Sequence, residues 1–325
     1  MKIPDFENPY FYHKGICELA KVLKGDEKVY LGIRPYGFHA GNAVTLVIYP
    51  ILLCRELKKL GKVPRFTFYV FLNDWEQESL DGPNPKLYPF NVLPKFTTWQ
   101  YMKDPIDNER TIVDFWETVI VNNVKIIKHY FPKVKIIPRR NSEMKNYPEM
   151  RECILKTLSN QKLILKALEH NTKVRILNSP IIFASAVCPN CHAARGKTIV
   201  IDKNKIYHEC KMCKKINEGE YEDFDYWFYH KPLALPRIAA FNIDLCITGS
   251  DHFKEGDFEV RKKLFEIYGI KTPVPKTLYS SSIFGGNKKI MGKSKGNAKL
   301  IDYDKLINLV MRHKNDKHIY IPNKI

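Results

Sequence analysis

Four cysteines in two pairs constrain this chain most: Cys188-Pro-Asn-Cys191 and Cys210-Lys-Met-Cys213, with 18 residues between the pairs. Each pair can clamp one side of a tetrahedral thiolate site, and a spacer of that length can form a β-hairpin. A zinc ribbon with a closed coordination sphere follows, with Cys188, Cys191, Cys210 and Cys213 as ligands and Zn2+ as the ion. Two redox dithiols are the competing reading, but redox motifs seldom come as two at ribbon spacing. His192 and His208 adjoin the ligands and read as supporting or surface residues. Cys17, Cys54, Cys153 and Cys246 stand singly in apolar runs, as buried free thiols do. This usage fits a reducing compartment rather than a secreted disulfide framework.

The chain has 325 residues, 44% of them hydrophobic, enough for one large α/β domain or two smaller ones. No apolar run approaches the ~20 residues that span a bilayer. The N-terminus has no signal-peptide apolar region. A cytoplasmic protein with no membrane partner is the expectation. The net charge of +18 is spread along the chain without a block of five or six lysines. It points to a folded basic face and polyanionic partners, nucleic acid or nucleotides above all, and excludes a basic disordered tail.

Hydrophobic periodicity predicts a helix at 14–25, a strand at 28–33, a helix over 43–61 bent or broken near Pro50, and a strand at 65–72. Between the first strand and the second helix lies Arg34-Pro-Tyr-Gly-Phe-His-Ala-Gly-Asn42, a turn by its Pro and Gly. This β–turn–α–β pattern opens a doubly wound parallel sheet, in which ligands sit at the carboxyl ends of strands. His39 and Asp74 fall there, and the turn aims a helix N-terminus at whatever binds, which favours phosphate. A Pro- and Asn-rich stretch at 78–108 reads as a long loop. Helices at 112–130, 142–170 (interrupted near Pro148), 256–268 and 303–313, and strands at 133–137 and 244–248, complete the pattern. Residues 285–297, Gly-Gly-Asn-Lys-Lys-Ile-Met-Gly-Lys-Ser-Lys-Gly-Asn, form a basic Gly-rich loop whose lysines and backbone N–H groups suit a triphosphate.

His39-Ala-Gly41-Asn42 resembles the HIGH element of class I aminoacyl-tRNA synthetases, and Lys289-Ile-Met-Gly-Lys-Ser-Lys-Gly-Asn297 resembles their KMSKS loop. A zinc-binding insertion, then Lys231-Pro232 through Arg237 to Ala239-Ala240, then Gly249-Ser250-Asp251-His252, is similar to class I lysyl-tRNA synthetase. The sequence departs from that pattern in three places. The HIGH-like turn is one residue short, the KMSKS-like loop carries Met291-Gly292 where one serine is usual, and Leu233-Ala234 stand where the family has Asp-Trp. Only 28 residues follow Asn297, too few for an anticodon-binding domain.

The resemblance implies a Rossmann-like, HUP-type nucleotide-binding domain in two parts, 1–180 and 222–325, with the zinc ribbon inserted at 181–221. It implies ATP bound by Gly37, His39, Gly41, Asn42, Lys293, Ser294 and Lys295, with His39, Lys293 and Lys295 catalytic and Mg2+ bridging phosphates. Gly32, Arg34, Asp74, Asp251 and His252 would contact the amino acid, lysine or a relative, which becomes an adenylate. The acceptor would be a tRNA or another molecule. The alternative is a catalytically lapsed relative that binds tRNA or a nucleotide.

Overall fold

The structure, a computed structural model, describes residues 9–35, 37–75, 96–104, 107–169, 184–228, 230–254, 257–271, 274–285 and 302–321. The chain starts with a two-residue strand β1 (Tyr10–Phe11) and helix α1 (Tyr12–Val22), then β2 (Lys28–Ile33). Next come α2 (Ala40–Ala43), a π-helical stretch (Val44–Ile48), α3 (Tyr49–Lys59) and β3 (Thr67–Leu72). Helix α4 (Ile112–Tyr130) leads to β4 (Lys135–Arg140), followed by α5 (Asn141–Met144), α6 (Pro148–Ser159) and α7 (Gln161–Glu169). The cysteine-bearing region comprises β5 (Ala184–Ala186), β6 (Gly196–Val200), β7 (Lys205–Cys210), β8 (Ile216–Glu220) and β9 (Tyr226–Phe228). Then follow α8 (His230–Phe241), β10 (Leu245–Gly249), α9 (Ser250–Lys254), α10 (Asp257–Tyr268), β11 (Lys276–Ser280), β12 (Ser282–Gly285), α11 (Tyr303–Arg312) and β13 (His318–Ile321).

Six strands form one sheet in the order β1-β11-β10-β2-β3-β4, every neighbouring pair parallel. Parallel strands need both faces covered, because each crossover carries a helix back over the sheet. One face holds Val29 and Leu31 of β2 against Leu19 of α1, Leu53 of α3, Val124 of α4 and Val310 of α11. The other holds Tyr30, Phe71 and Cys246 against Ile154 of α6, Ile238 of α8 and Phe265 of α10. The predicted doubly wound α/β fold is therefore what the chain adopts. Its order reverses once: the chain runs β2, β3, β4 to one side, then returns to place β10 on the other side of β2.

Helix α4 begins where the sequence places it. The Thr111 hydroxyl accepts from the Asp114 amide while the Asp114 carboxylate accepts from the Thr111 amide. Pro50 does not break its helix. Proline lacks an N–H and its ring clashes with the carbonyl four residues back. The chain widens to a π register over Val44–Ile48, so that the Tyr49 amide reaches the Val44 carbonyl and α3 starts with Pro50 in its first turn. Ala40–Lys59 is thus one 20-residue helical stretch, long and apolar enough by composition to cross a bilayer. That differs from the reading of the sequence. The stretch is two-thirds buried inside the molecule, as the central core helix against the sheet.

The cysteine region is antiparallel. Strands β5 and β9 pair as a stem, and β6-β7-β8 form a three-stranded sheet beyond it.

Strand β12 pairs in parallel with β13 and lies against α2. The junction before it is tied to α3: Tyr49, almost wholly buried, accepts a hydrogen bond from the Ser281 amide at 3.0 Å and meets the Ser281 hydroxyl at 3.1 Å. We predict that Tyr49→Phe, which leaves a buried amide unsatisfied, lowers unfolding free energy by about 1–3 kcal/mol in urea titrations. A loss below about 0.3 kcal/mol would show that the junction is held by other contacts.

Candidate functional site

The reversal point between β2 and β10 is where a doubly wound sheet leaves a crevice at its carboxyl edge. The turn after β2 and the turn after β10 flank it. His39 is the N-cap of the long helical stretch. Its Nδ1 accepts from the amides of Gly41 at 3.1 Å and Asn42 at 3.4 Å, while Asn42 Oδ1 accepts from the His39 amide at 3.2 Å. An accepting Nδ1 puts the proton of the neutral ring on Nε2, which makes Nε2 a donor. His39 is therefore locked in one orientation and one tautomer by the backbone it caps.

Gly32, near the end of β2, is solvent-exposed although β2 has a strand hydrogen-bonded on each side. A central position of a parallel sheet is open to solvent only where nothing covers that face. Here a Cβ would fall 2.8 Å from the Tyr30 ring, so glycine makes room for that ring beside the crevice floor. On the other flank, a Cβ on Gly249 would sit 2.3 Å from Asp251 Oδ1, so the Asp251 carboxylate folds over glycine backbone. Asp251 is exposed and His252 half-buried at the start of α9. Ser250 Oγ stands 2.8 Å from Ser282 Oγ, and Thr45 Oγ1 stands 2.6 Å from Ser280 Oγ. These pairs draw the turn after β10 and the helix after His39 onto the β11–β12 strand segment. Gly37, Gly41 and Arg34 lie in the turn and helix start after β2. Lys293, Ser294 and Lys295 lie outside the described residues; β12, which precedes their segment, packs on α2.

Asp74 is 1% exposed, and its carboxylate accepts from the amides of Asn141 and Ser142 and from the Ser142 hydroxyl. It thereby caps α5 across the carboxyl ends of β3 and β4. Burial pushes its acid up to about 6, against the pull of those hydrogen bonds. Beside it, Asn141 Nδ2 donates to Asn73 Oδ1 at 2.6 Å, and Arg237 of α8 donates to Asn73 Oδ1 and to the Tyr30 hydroxyl at 2.7 Å. The Arg237 guanidinium, 2% exposed, lies over the Phe71 ring, 5.6 Å from its centroid. Asn141 Oδ1, Arg237 Nε and Trp75 Nε1 have no hydrogen-bond partner among the described residues. Sequence reading placed Asp74 and noted Arg237, but missed Tyr30, Asn141 and Ser142. One signal was available: Asn141-Ser142 follows β4 as Asn73-Asp74 follows β3, a polar pair directly after a strand.

In the cysteine region, Cys188 Sγ is 3.6 Å from Cys213 Sγ, Cys191 Sγ is 3.6 Å from Cys210 Sγ, and all four sulfurs lie within 4.8 Å of one another. Tetrahedral zinc with Zn–S near 2.3 Å puts sulfurs about 3.8 Å apart, so the four thiols fit that ion. The Met212 amide donates to Cys210 Sγ, and the side-chain amides of Asn190 and Asn217 donate to Cys188 Sγ, which offsets thiolate charge. The residue after each second cysteine, His192 and Lys214, is left-handed at φ 55° and 62°. The two knuckles therefore turn alike. His208 is buried with Nδ1 2.9 Å from the Thr198 hydroxyl, and His192 stacks on Tyr101; neither belongs to the thiol cluster. A second grouping, unread in the sequence, joins His13 and Cys17, one turn apart on α1, with Glu56 of α3. Its carboxylate already holds Lys59 Nζ at 2.6 Å.

Because the Asp74 acid is raised by folding, the folded chain keeps a proton between the usual carboxylate value and about 6 that the unfolded chain has released. Stability contributed by that proton is fully present below the unfolded value and falls as pH rises through the window. We expect wild-type unfolding free energy to drop by about 2 kcal/mol from this group between pH 4 and 6. The Asp74→Asn variant should lack this part of the decline. Parallel pH profiles for the two proteins would contradict the assignment.

A family profile described as tRNA synthetases class I (K) matches residues 114–312. A comparison with curated proteins finds no match. Among solved structures, tyrosyl-tRNA synthetase from Archaeoglobus fulgidus is similar at 15% identity and TM-score 0.42, over 87% of this chain and 63% of that one. Tyrosyl-tRNA synthetase from Leishmania major is similar at 14% identity and TM-score 0.41, over 86% of this chain and 30% of that one. A glutamate tRNA ligase from Elizabethkingia meningosepticum is similar at 14% identity and TM-score 0.37, over 86% of this chain and 52% of that one. The chain thus spans less than two thirds of the length of each. The profile covers more than half of the chain, across α4, β4, the cysteine ribbon, β10, β11 and α11: this protein belongs to the class I (K) tRNA synthetase family.

Proposed function

We propose that this protein is an ATP-dependent ligase that forms an aminoacyl-adenylate in the crevice between β2 and β10 and passes the aminoacyl group to a tRNA or another acceptor. The observation that carries this reading is the convergence of three elements on one point of the sheet edge. They are the His39 cap after β2, the Gly249–His252 turn after β10, and β12, which leads to the lysine-bearing segment. The family match supports the same chemistry.

In the step proposed, an amino-acid carboxylate oxygen bonds to the α-phosphorus of ATP, the bond from that phosphorus to the bridging oxygen breaks, and pyrophosphate leaves with its electron pair. Positioning and charge stabilisation carry such a transfer. His39, oriented by Gly41 and Asn42, offers Nε2–H to a phosphate oxygen at a helix N-terminus. Lys293 and Lys295 would hold the phosphates that depart, Ser294 and Gly37 would be further ATP contacts, and Mg2+ would supply charge neutralisation to the phosphates. The substrate would lie over Gly32, bordered by Arg34, Asp251 and His252. The four thiols would hold Zn2+, whose role would be structural, since four sulfur ligands leave no position for substrate.

Lysine as the amino acid rests on the family alone. Asp74, the carboxylate that would meet a cationic side chain, is engaged by Asn141 and Ser142, while the buried Arg237 cation donates to the Tyr30 hydroxyl.

ATP–pyrophosphate exchange, screened over the twenty amino acids, ornithine and related diamines, tests the ligase reading. We expect exchange with at least one of them, reduced by ~10²-fold or more in His39→Ala and in Lys293→Ala. No exchange with any candidate would leave a lapsed relative that binds tRNA or a nucleotide. If the acceptor is tRNA, affinity should fall steeply with salt, log Kd changing linearly with log salt concentration, as phosphate contacts require. Absent or salt-insensitive tRNA binding would direct the search to a small acceptor.

A further inference from the structure

The knuckle that carries Cys191 also grips the segment 96–104, which precedes α4. His192 stacks its ring on Tyr101, with centroids 4.3 Å apart and planes 19° from parallel. Ala193 bridges Thr97, and the Ala194 amide donates to the Phe96 carbonyl at 2.7 Å. The Arg195 guanidinium lies over the Phe96 ring, 4.2 Å from its centroid. Four consecutive residues after a metal ligand therefore all face one short strap. The stacking depends on an unusual backbone: His192 sits at φ 55°, a left-handed conformation that non-glycine residues adopt rarely and that the knuckle imposes.

The strap in turn holds the crevice wall. The Gln100 amide donates to the Asp74 carbonyl at 3.1 Å. Thr98 and Trp99 are fully buried, and Trp99 packs with Met102, Ile112 and Val113 at the start of α4. Asp74 is the residue whose carboxylate caps α5, and Asn73 beside it receives Arg237. A continuous set of contacts thus runs from the thiol cluster, through His192 and Tyr101, to the turn at the carboxyl end of β3.

We propose that the tetrathiolate zinc site clamps the 96–104 strap and through it fixes the Asn73–Asp74 turn, with His192 as the positioning residue that transmits metal occupancy to the crevice wall. This rests on the zinc reading above and not on the ligase reading. Metal content and amide exchange test it without any aminoacyl transfer, so its failure is distinct from failure of the ligase assay. Linkage makes the coupling reciprocal: a strap that zinc orders must, when loosened, bind zinc more weakly through the ribbon.

The experiment uses the full-length zinc-loaded chain. Hydrogen exchange is read at the Gln100, Tyr101 and Met102 amides, whose partners are the carbonyls of Asp74, Thr98 and Trp99. His192→Asn keeps a residue that tolerates the left-handed backbone but removes the ring, and Tyr101→Leu removes the other half of the stack. We expect exchange at these three amides to rise about three- to tenfold in His192→Asn with one zinc per chain retained, the scale of a lost ring pair. Zinc affinity should fall by a similar factor in Tyr101→Leu, which alters no ligand. Chelation of zinc from the wild type should accelerate the same amides. Where chelation also releases the amides of α4, the two variants decide. Unchanged exchange at Gln100–Met102 in zinc-loaded His192→Asn, or unchanged zinc affinity in Tyr101→Leu, overturns the proposal.

Discussion

Everything in this molecule depends on one reversal of strand order. Six parallel strands are packed under helices on both faces, and where β10 returns beside β2 the crossovers diverge to opposite sides, which leaves a crevice at the carboxyl edge in such folds. Gly32, near the end of the central strand β2, is exposed there. The reversal also brings the start of the longest core helix and the turn after β10 to one place. The hydrophobic packing of Ala40–Lys59 therefore does two jobs: it fills the core beneath the sheet, and it points its capped end at the crevice.

The side of the crevice near β3 and β4 is built differently. There the wall is a buried polar network, with Asp74, Asn141, Asn73, Arg237 and Tyr30 linked by hydrogen bonds. Such a network is costly when a member is unpaired and rigid when satisfied. Asn141 Oδ1 and Arg237 Nε, without a hydrogen-bond partner among the described residues, mark where the network has capacity left. The neighbouring strap and the thiol knuckle brace the same turn from outside. One flank of the site is thus set by helix capping, the other by a polar lattice braced by the ribbon.

Much of this was legible in the sequence because the signals are local. Alternating and apolar runs placed β2 and α4, and the cysteine spacing foretold a clustered set of four thiols. Non-local features were not legible. Strands β1, β11, β12 and β13 are short and carry Lys276, Ser280 and Ser282, so no period distinguishes them. Helix α8 contains Pro236, which argues against a helix until tertiary packing overrides it. Pro50 was expected to bend or break its helix; the helix continues, and a local change of register absorbs the proline. Asp74 was expected at a strand's carboxyl end in contact with the amino acid; its partners lie 67 and 68 residues away, where no local pattern reaches.

The most direct test of the account is a crystal structure of this chain with a non-hydrolysable aminoacyl-adenylate analogue. The account places the phosphate of that analogue at the His39–Asn42 helix start and its aminoacyl part over Gly32, between the ends of β2 and β10. An analogue seated elsewhere on the molecule, with that crevice empty, would contradict it.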